Sequence, residues 1–220
     1  MIRVVAIDGP AGSGKSTVAR AAAARLGLEV LDTGAMYRAV TLAVLDAGAD
    51  PGDEAACARA AGAARIDLGA RVLLDGRDVT EAIRGPAVTA AVSAVSAHPS
   101  VRRALVAHQR AWAAAHGGAV VEGRDIGTVV FPDAPVKVFL TASDDERARR
   151  RARDEAAADR AADVEAIRAD LVRRDALDST RATSPLVAAP DALIVDSTQR
   201  SVDEVVAVIV EAFTGAEGRP

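Results

Sequence analysis

The chain of 220 residues has no asparagine, one cysteine and only two lysines. Without asparagine there is no N-K-x-D segment of the kind GTPases use to read guanine. A single cysteine, Cys57, excludes an intrachain disulfide framework and suits a reducing compartment. Aromatic residues make up 2%, so the core must be aliphatic. No uncharged apolar run approaches ~20 residues, the length of a bilayer-crossing helix, so no membrane span is expected. The net charge of −4 gives no pull toward nucleic acid or anionic lipid. The first apolar run, Ile2–Ile7, begins too early to leave room for a signal peptide, and a cytoplasmic protein is expected.

What is present is sharper. Gly9, Pro10, Ala11, Gly12, Ser13, Gly14, Lys15 and Ser16 match the pattern G-x-x-x-x-G-K-[ST]. An apolar strand pattern precedes them and a helical stretch, Thr17–Leu26, follows. In that context the loop is a phosphate cradle: its N–H groups form a concave nest, and the helix start adds free N–H groups and a positive dipole end. Lys15 would reach the terminal phosphates of a nucleotide and Ser16 would ligate Mg²⁺. Two of the 27 basic residues are lysines, and one stands where such a loop needs a compact ammonium.

Further along, short apolar runs alternate with helical patterns. Strands are expected near Leu28–Leu31, Ala119–Val121, Val136–Leu140 and Ala192–Val195. Helices are expected over Thr33–Asp46, Pro51–Arg65, Ala87–Ala97, Val101–Ala115 with Ser100 as cap, and Asp163–Asp175. Ser143–Glu146 and Ser201–Glu204 read as capping boxes opening two more helices, and the tail from Gly215 is expected to fray. Ile66–Val79, with Leu68-Gly69 and Asp75-Gly76 as turn signals, reads as a small hairpin or meander. Together these predict an α/β, three-layer fold with a five-stranded parallel sheet and no dividing linker.

A phosphate loop does not name a reaction. A chain this short suits a small ATP-dependent kinase, which must also hold a second, anionic substrate. Phosphoryl transfer needs positioning and charge neutralisation, and arginine forks suit phosphate oxygens. Four places supply them. Thr33, Tyr37 and Arg38 follow the second strand. Arg124 and Asp125 sit at the carboxyl end of a buried strand, where open α/β sheets bind ligands. Arg147, Arg150 and Arg151 share one face of an arginine-dense helix. Arg174, Asp178 and Arg181 are spaced to share another. Alone, the third and fourth groups also read as a solvated charged helix and an intrahelical ion pair.

The combination resembles the bacterial cytidylate kinase family of P-loop nucleoside monophosphate kinases. The segments that carry the resemblance are I-D-G-P-A-G-S-G-K-S-T at Ile7–Thr17, L-D-T-G-A-M-Y-R at Leu31–Arg38, and V-S-A-V-S-A-H-P-S-V-R at Val92–Arg102. To these add E-G-R-D-I-G-T-V-V-F-P-D-A at Glu122–Ala134 and R-R-D-A-L-D-S-T-R at Arg173–Arg181. The resemblance implies ATP-dependent phosphorylation of CMP and dCMP, with Mg²⁺, by a monomer in pyrimidine nucleotide metabolism. It implies one domain over 1–220, with a core at about 1–33, 117–146 and 171–220, a monophosphate-binding insertion at about 34–116, and a lid at about 147–170. Gly9–Thr17 and Arg150 would bind ATP. Lys15, Arg124, Arg147 and Arg151 would neutralise the transferring phosphoryl group. Thr33, Arg38 and Arg124 would clamp the CMP phosphate, with Tyr37 in support. Ser93, Arg102 and Asp125 would read cytosine, helped by Arg181, and Arg174 and Asp178 would contact the ribose. Thr33 stands where the family often has serine, and Leu177 where some members have arginine. A P-loop kinase for another acceptor such as UMP, a non-catalytic nucleotide-binding module and a purely structural use of the fold are the alternatives.

Overall fold

The computed structural model describes residues 3–157 and 163–218. The chain divides into two compact units, 1–30 with 113–220, and 31–112.

In the first unit, β1 (Arg3–Asp8) runs into the glycine loop and then α1 (Lys15–Leu26), which ends on the left-handed Gly27. β2 (Glu29–Asp32) follows, and the boundary between the units falls within it. After the second unit come β6 (Gly118–Gly123), β7 (Val136–Thr141), α6 (Asp144–Ala157), α7 (Val164–Thr180), β8 (Leu193–Asp196) and α8 (Val202–Glu217). The sheet has five parallel strands in the order β2-β6-β1-β7-β8. β1 is central, with Asp8 in register with Gly123 on one side and Phe139 on the other. All six residues of β6 and five of the six in β1 are buried, as expected where helices cover both faces. Val5 and Ile7 of β1, Val138 and Leu140 of β7, and Val195 of β8 pack with Ala19, Ala22 and Ala23 of α1 and Val206, Ile209 and Phe213 of α8. Small alanines let α1 approach the sheet closely.

The second unit holds α2 (Thr33–Asp46), α3 (Glu54–Ala63), α4 (Pro86–Ala97) and α5 (Pro99–Ala115), whose last residues cross into the first unit. It also holds an antiparallel meander of β3 (Ile66–Leu68), β4 (Val72–Leu74) and β5 (Arg77–Asp78). Asp75 and Gly76 both take positive φ, 52° and 81°, and close the β4–β5 hairpin with the turn that suits the strand twist.

Several expected boundaries move. Ser100 lies inside α5, which starts at Pro99, and its hydroxyl donates to Glu54 at 2.8 Å. Proline tolerates the first helical turn because it has no N–H to leave unpaired. Ser143 does accept from Glu146 N at 3.3 Å, but its own N–H goes to Thr198 Oγ1 at 2.9 Å, so the expected capping box is only half formed. α7 runs past Asp175 to Thr180, and α8 runs past Gly215 to Glu217. Part of the expected lid, 158–162, lies outside the described residues.

Candidate functional site

The glycine loop owes its path to three left-handed or extended glycines, Gly9 (φ 150°), Gly12 (φ 75°) and Gly14 (φ 92°). A Cβ on Gly9 would lie 2.1 Å from the Leu140 carbonyl oxygen, so no side chain fits. The loop's carbonyls are gripped from several directions. Lys15 Nζ donates to Pro10 O at 2.7 Å. Arg147 Nη1 donates to Ala11 O at 2.8 Å. Arg150 Nη1 donates to Ser13 O at 3.2 Å, and Ser197 Oγ lies 3.1 Å from the same oxygen. Carbonyls already engaged by donors repel an anion less, and a polyphosphate needs a loop whose N–H groups rather than its carbonyls meet it. Gly14, the residue before α1, offers no side-chain cap, so the helix start stays available to an anion. Ser16 is half-buried at that start.

Lys15 is 6% exposed. Burial, and next the Arg124 guanidinium, pulls its ammonium down to about 7, against the pull of Glu122, Asp8 and Asp175.

The α6 arginines share a face as the spacing predicts, and each meets a carboxylate. Arg147, 4% exposed, donates to Asp144 at 2.6 Å and to Asp175 on α7. Asp175 also accepts from Ala11 N at 3.2 Å. Arg150 pairs with Glu146 at 3.0 Å and bonds Ser197 O at 2.7 Å, and Arg151 pairs with Glu155 at 2.5 Å. Asp175 and Ser197 are site residues the sequence reading missed. Asp175 sits inside the quoted R-R-D segment, so a signal existed; Ser197 follows the last strand with no motif around it.

At the carboxyl end of β6, Arg124 Nε donates to Asp178 at 2.9 Å, and Nη1 to its own Gly123 O at 3.2 Å. Asp178 also lies 3.6 Å from Arg181 Nη1. Arg181 is not on the helical face that the spacing suggested: it is the extended residue after α7, and it also donates to Ser184 O. Arg174 is made less basic by burial and then by the neighbouring Arg124 charge. Asp125 is 3% exposed, and Glu122 is 5% exposed.

In the 31–112 unit, Asp32 caps α2 by accepting from Ala35 N at 2.9 Å, which leaves Thr33 as its first residue. Arg38 Nη1 donates to Ile83 O at 3.1 Å and Thr89 Oγ1 at 3.0 Å. Arg102, 3% exposed, donates to Ser96 O at 3.2 Å and stacks over the Tyr37 ring at 5.3 Å. Ser93 lies on α4, its carbonyl accepting from Ser96 Oγ at 3.2 Å.

A glycine phosphate loop after the central strand of a parallel sheet, ringed by arginines, defines a P-loop kinase fold. The solved structures agree on fold. An uncharacterized protein from Eubacterium ventriosum superposes with a TM-score of 0.56 at 14% identity, covering 98% of this chain and 99% of that one. A gluconokinase from Sinorhizobium meliloti gives 0.50 at 16% identity, covering 98% and 94%. Sequence comparison is more specific. The cytidylate kinase family profile matches residues 5–215. Cytidylate kinases of Mycolicibacterium paratuberculosis and Mycobacterium leprae are 58% and 54% identical, over 92% and 98% of this chain and 91% and 97% of theirs. The chain belongs to the cytidylate kinase family.

Proposed function

We propose that the protein transfers the γ-phosphoryl group of ATP to CMP and dCMP, giving CDP and dCDP. The observation that carries this reading is family membership over nearly the whole chain at more than half identity, with the phosphate loop and arginine set intact. ATP is held by Gly9–Thr17 with Arg150. Lys15, Arg124, Arg147 and Arg151 neutralise the charge that develops between donor and acceptor. Arg147 reaches the phosphates only by exchanging its present carboxylates for them, which is what closure of the 147–170 lid would do. Thr33, Arg38 and Arg124 take the acceptor's phosphate, with Tyr37 in support. Ser93, Arg102 and Asp125, with Arg181, read cytosine: serine and carboxylate accept from the exocyclic amine, and arginine donates to the ring acceptors. Arg174 and Asp178 contact the ribose. No general base is required, because the attacking phosphate oxygen is already anionic.

A single hydroxyl at the helix start suits Mg²⁺, a hard cation that brings most of its ligands as water and phosphate, and among the described residues no cluster of three or more His, Cys, Asp or Glu could hold a metal by itself. Ser16 would hold it, and it would supply charge neutralisation at the β- and γ-phosphates. Among the described residues no helix is long and apolar enough to cross a membrane; a cytoplasmic, monomeric enzyme is part of the reading proposed here.

The test is ADP release from Mg²⁺-ATP with CMP, dCMP, UMP, AMP, GMP, shikimate or no acceptor, alongside Lys15→Ala. The expected outcome is turnover strongly favouring CMP and dCMP, reduced by about 10²–10³-fold in the variant. Preference for another acceptor would overturn the cytosine assignment of Ser93, Arg102 and Asp125. ATP binding without transfer to any acceptor would favour a non-catalytic module.

A further inference from the structure

Asp8 has no part in the roles given above, yet it is a carboxylate with 4% exposure at the centre of the sheet's carboxyl end. Its oxygens are both engaged. Oδ1 accepts from Ile126 N at 2.8 Å and Oδ2 from Gly127 N at 2.7 Å, donors 118 and 119 residues away. These are the first two N–H groups of a single π-helical turn, Ile126–Val130, closed by Val130 N to Asp125 O at 3.1 Å and Phe131 N to Ile126 O. Free N–H groups at the start of a helical segment need an acceptor, and Asp125, immediately before the turn, makes no side-chain cap. The cap comes instead from the neighbouring strand.

The turn is also pressed from behind. A Cβ on Gly127 would meet Lys137 Cγ and Cδ at 3.2 Å and Asp8 Oδ2 at 3.4 Å. Lys137 on β7 keeps its stem there because its ammonium is anchored on Asp191 at 2.8 and 3.0 Å. The second of the chain's two lysines is thus a slender strut with its charge satisfied at the far end.

Two features of Asp8 go beyond support of a turn. The residues just before its donors are Arg124 and Asp125. The residue just after Asp8 is Gly9, whose backbone is fixed against Leu140 O. One side chain therefore ties the residue that leads into the phosphate loop to the turn that the arginine immediately precedes. In-line transfer is sensitive to displacements of about 1 Å between donor and acceptor groups.

We propose that Asp8 is a positioning residue for phosphoryl transfer, holding the Ile126–Val130 turn, and through it the adjoining Arg124–Asp125, in register with the phosphate loop. This rests on the kinase reading above. The alternative is a carboxylate that only stabilises the fold.

The test compares the parent with Asp8→Asn and Gly127→Ala. Asparagine keeps the shape and one acceptor but turns an NH₂ toward the second N–H. The Gly127 methyl displaces the same turn by a few tenths of an ångström and leaves the carboxylate in place. For each protein, kcat and the KM values for CMP and ATP are measured beside thermal unfolding. The expected result is a split. Asp8→Asn lowers kcat/KM for CMP about 10- to 100-fold, and Gly127→Ala acts in the same direction but less, while KM for ATP stays within about 3-fold in both. Folded variants with parental values for CMP, or equal losses for CMP and ATP tracking only the folded fraction, would overturn it. If Asp8→Asn does not fold, Gly127→Ala decides alone. A parent that prefers another acceptor defeats the cytosine reading, and the same split is then read on that acceptor.

Discussion

Two loops at the carboxyl end of one sheet are shaped by opposite means. The phosphate loop after β1 takes its path from its own glycines, at φ 150°, 75° and 92°, and helix and strand-end side chains then grip its carbonyls. The Arg124–Val130 segment after β6 has ordinary residues at its start and takes its shape from Asp8, a charged side chain on another strand. The first design presents neutral N–H groups to an anion and leaves no charge of its own in the way. The second uses a buried carboxylate to hold two backbone N–H groups just after a guanidinium whose own partner is Asp178. A local run of glycines shapes one loop from within, whereas the other is held by a carboxylate on a neighbouring strand.

Substitutions at the two loops should separate these designs, and the largest effect belongs to the glycine loop. Gly9→Ala drives a methyl into the Leu140 carbonyl, a backbone atom that cannot swing aside. We expect a loss of about 4 kcal/mol, seen as a drop of roughly 10 °C in Tm, with ATP no longer raising Tm. Equal stability with normal ATP binding would mean that the loop tolerates a different path and that its glycines are not what shapes it.

The second effect is a pH dependence. Burial, with repulsion from Asp125, raises the Asp8 carboxyl from 3.8 to about 6, against the lowering effect of its two backbone bonds. The folded value lies above the ordinary one, so the fold prefers the protonated form. The stability this group contributes is complete below about pH 4 and is lost as pH rises through about 6. Relative to Asp8→Asn, whose side chain does not titrate, the parent should therefore weaken between pH 4 and 6.5 and run parallel above that. The expected change is about 3 kcal/mol, read as the difference in urea midpoints. A flat difference would mean that the two backbone hydrogen bonds offset the cost of burying the charge in full.

Much of the first loop was legible in the sequence, and little of the second. Gly9–Ser16 is a local motif whose geometry is written in consecutive residues, and the five strands read as short apolar runs because both faces of the sheet are covered. The Arg124–Asp178 pair was readable only as two separate motifs, since β6 and α7 meet through the fold. Asp8 stood inside a quoted segment without a role, because its partners are backbone N–H groups 118 residues away and backbone carries no sequence signal. The α6 arginines shared a face as their spacing required, but their carboxylates, Asp144, Glu146, Asp175 and Glu155, were not matched to them. Arg181 escaped the spacing rule because α7 ends one residue before it.

Arg147→Lys tests whether side chains gripping the phosphate loop do more than decorate it. The guanidinium serves Ala11 O, Asp144 and Asp175 at once, and one ammonium on a flexible stem cannot span that fork. With Asp175 left short of a partner in a mostly buried position, we expect a loss of about 2 kcal/mol, together with a raised KM for ATP. A variant of parental Tm with lowered kcat would instead mark Arg147 as purely a lid residue acting on the phosphates.

The smallest effect calibrates the rest. Ser201 caps α8 by a fully local device: its Oγ accepts from Glu204 N at 3.3 Å, and Glu204 accepts from Ser201 N at 2.7 Å. Ser201→Ala should cost about 1 kcal/mol, some 2–4 °C in Tm, and leave all kinetic constants alone. Its pH behaviour should also run opposite to that of Asp8. The Ser201 N–H, followed by its hydroxyl, holds the Glu204 carboxyl below its ordinary 4.5. That cap is therefore present above the ordinary glutamate range and fades as pH falls, whereas the Asp8 contribution fades as pH rises. Both carboxylates cap a helical start. One does so from three residues away in water, the other from across the sheet in the core, where burial, with the Asp125 charge, reverses the sign. A Ser201→Ala variant whose deficit grew toward acid pH would contradict that account directly.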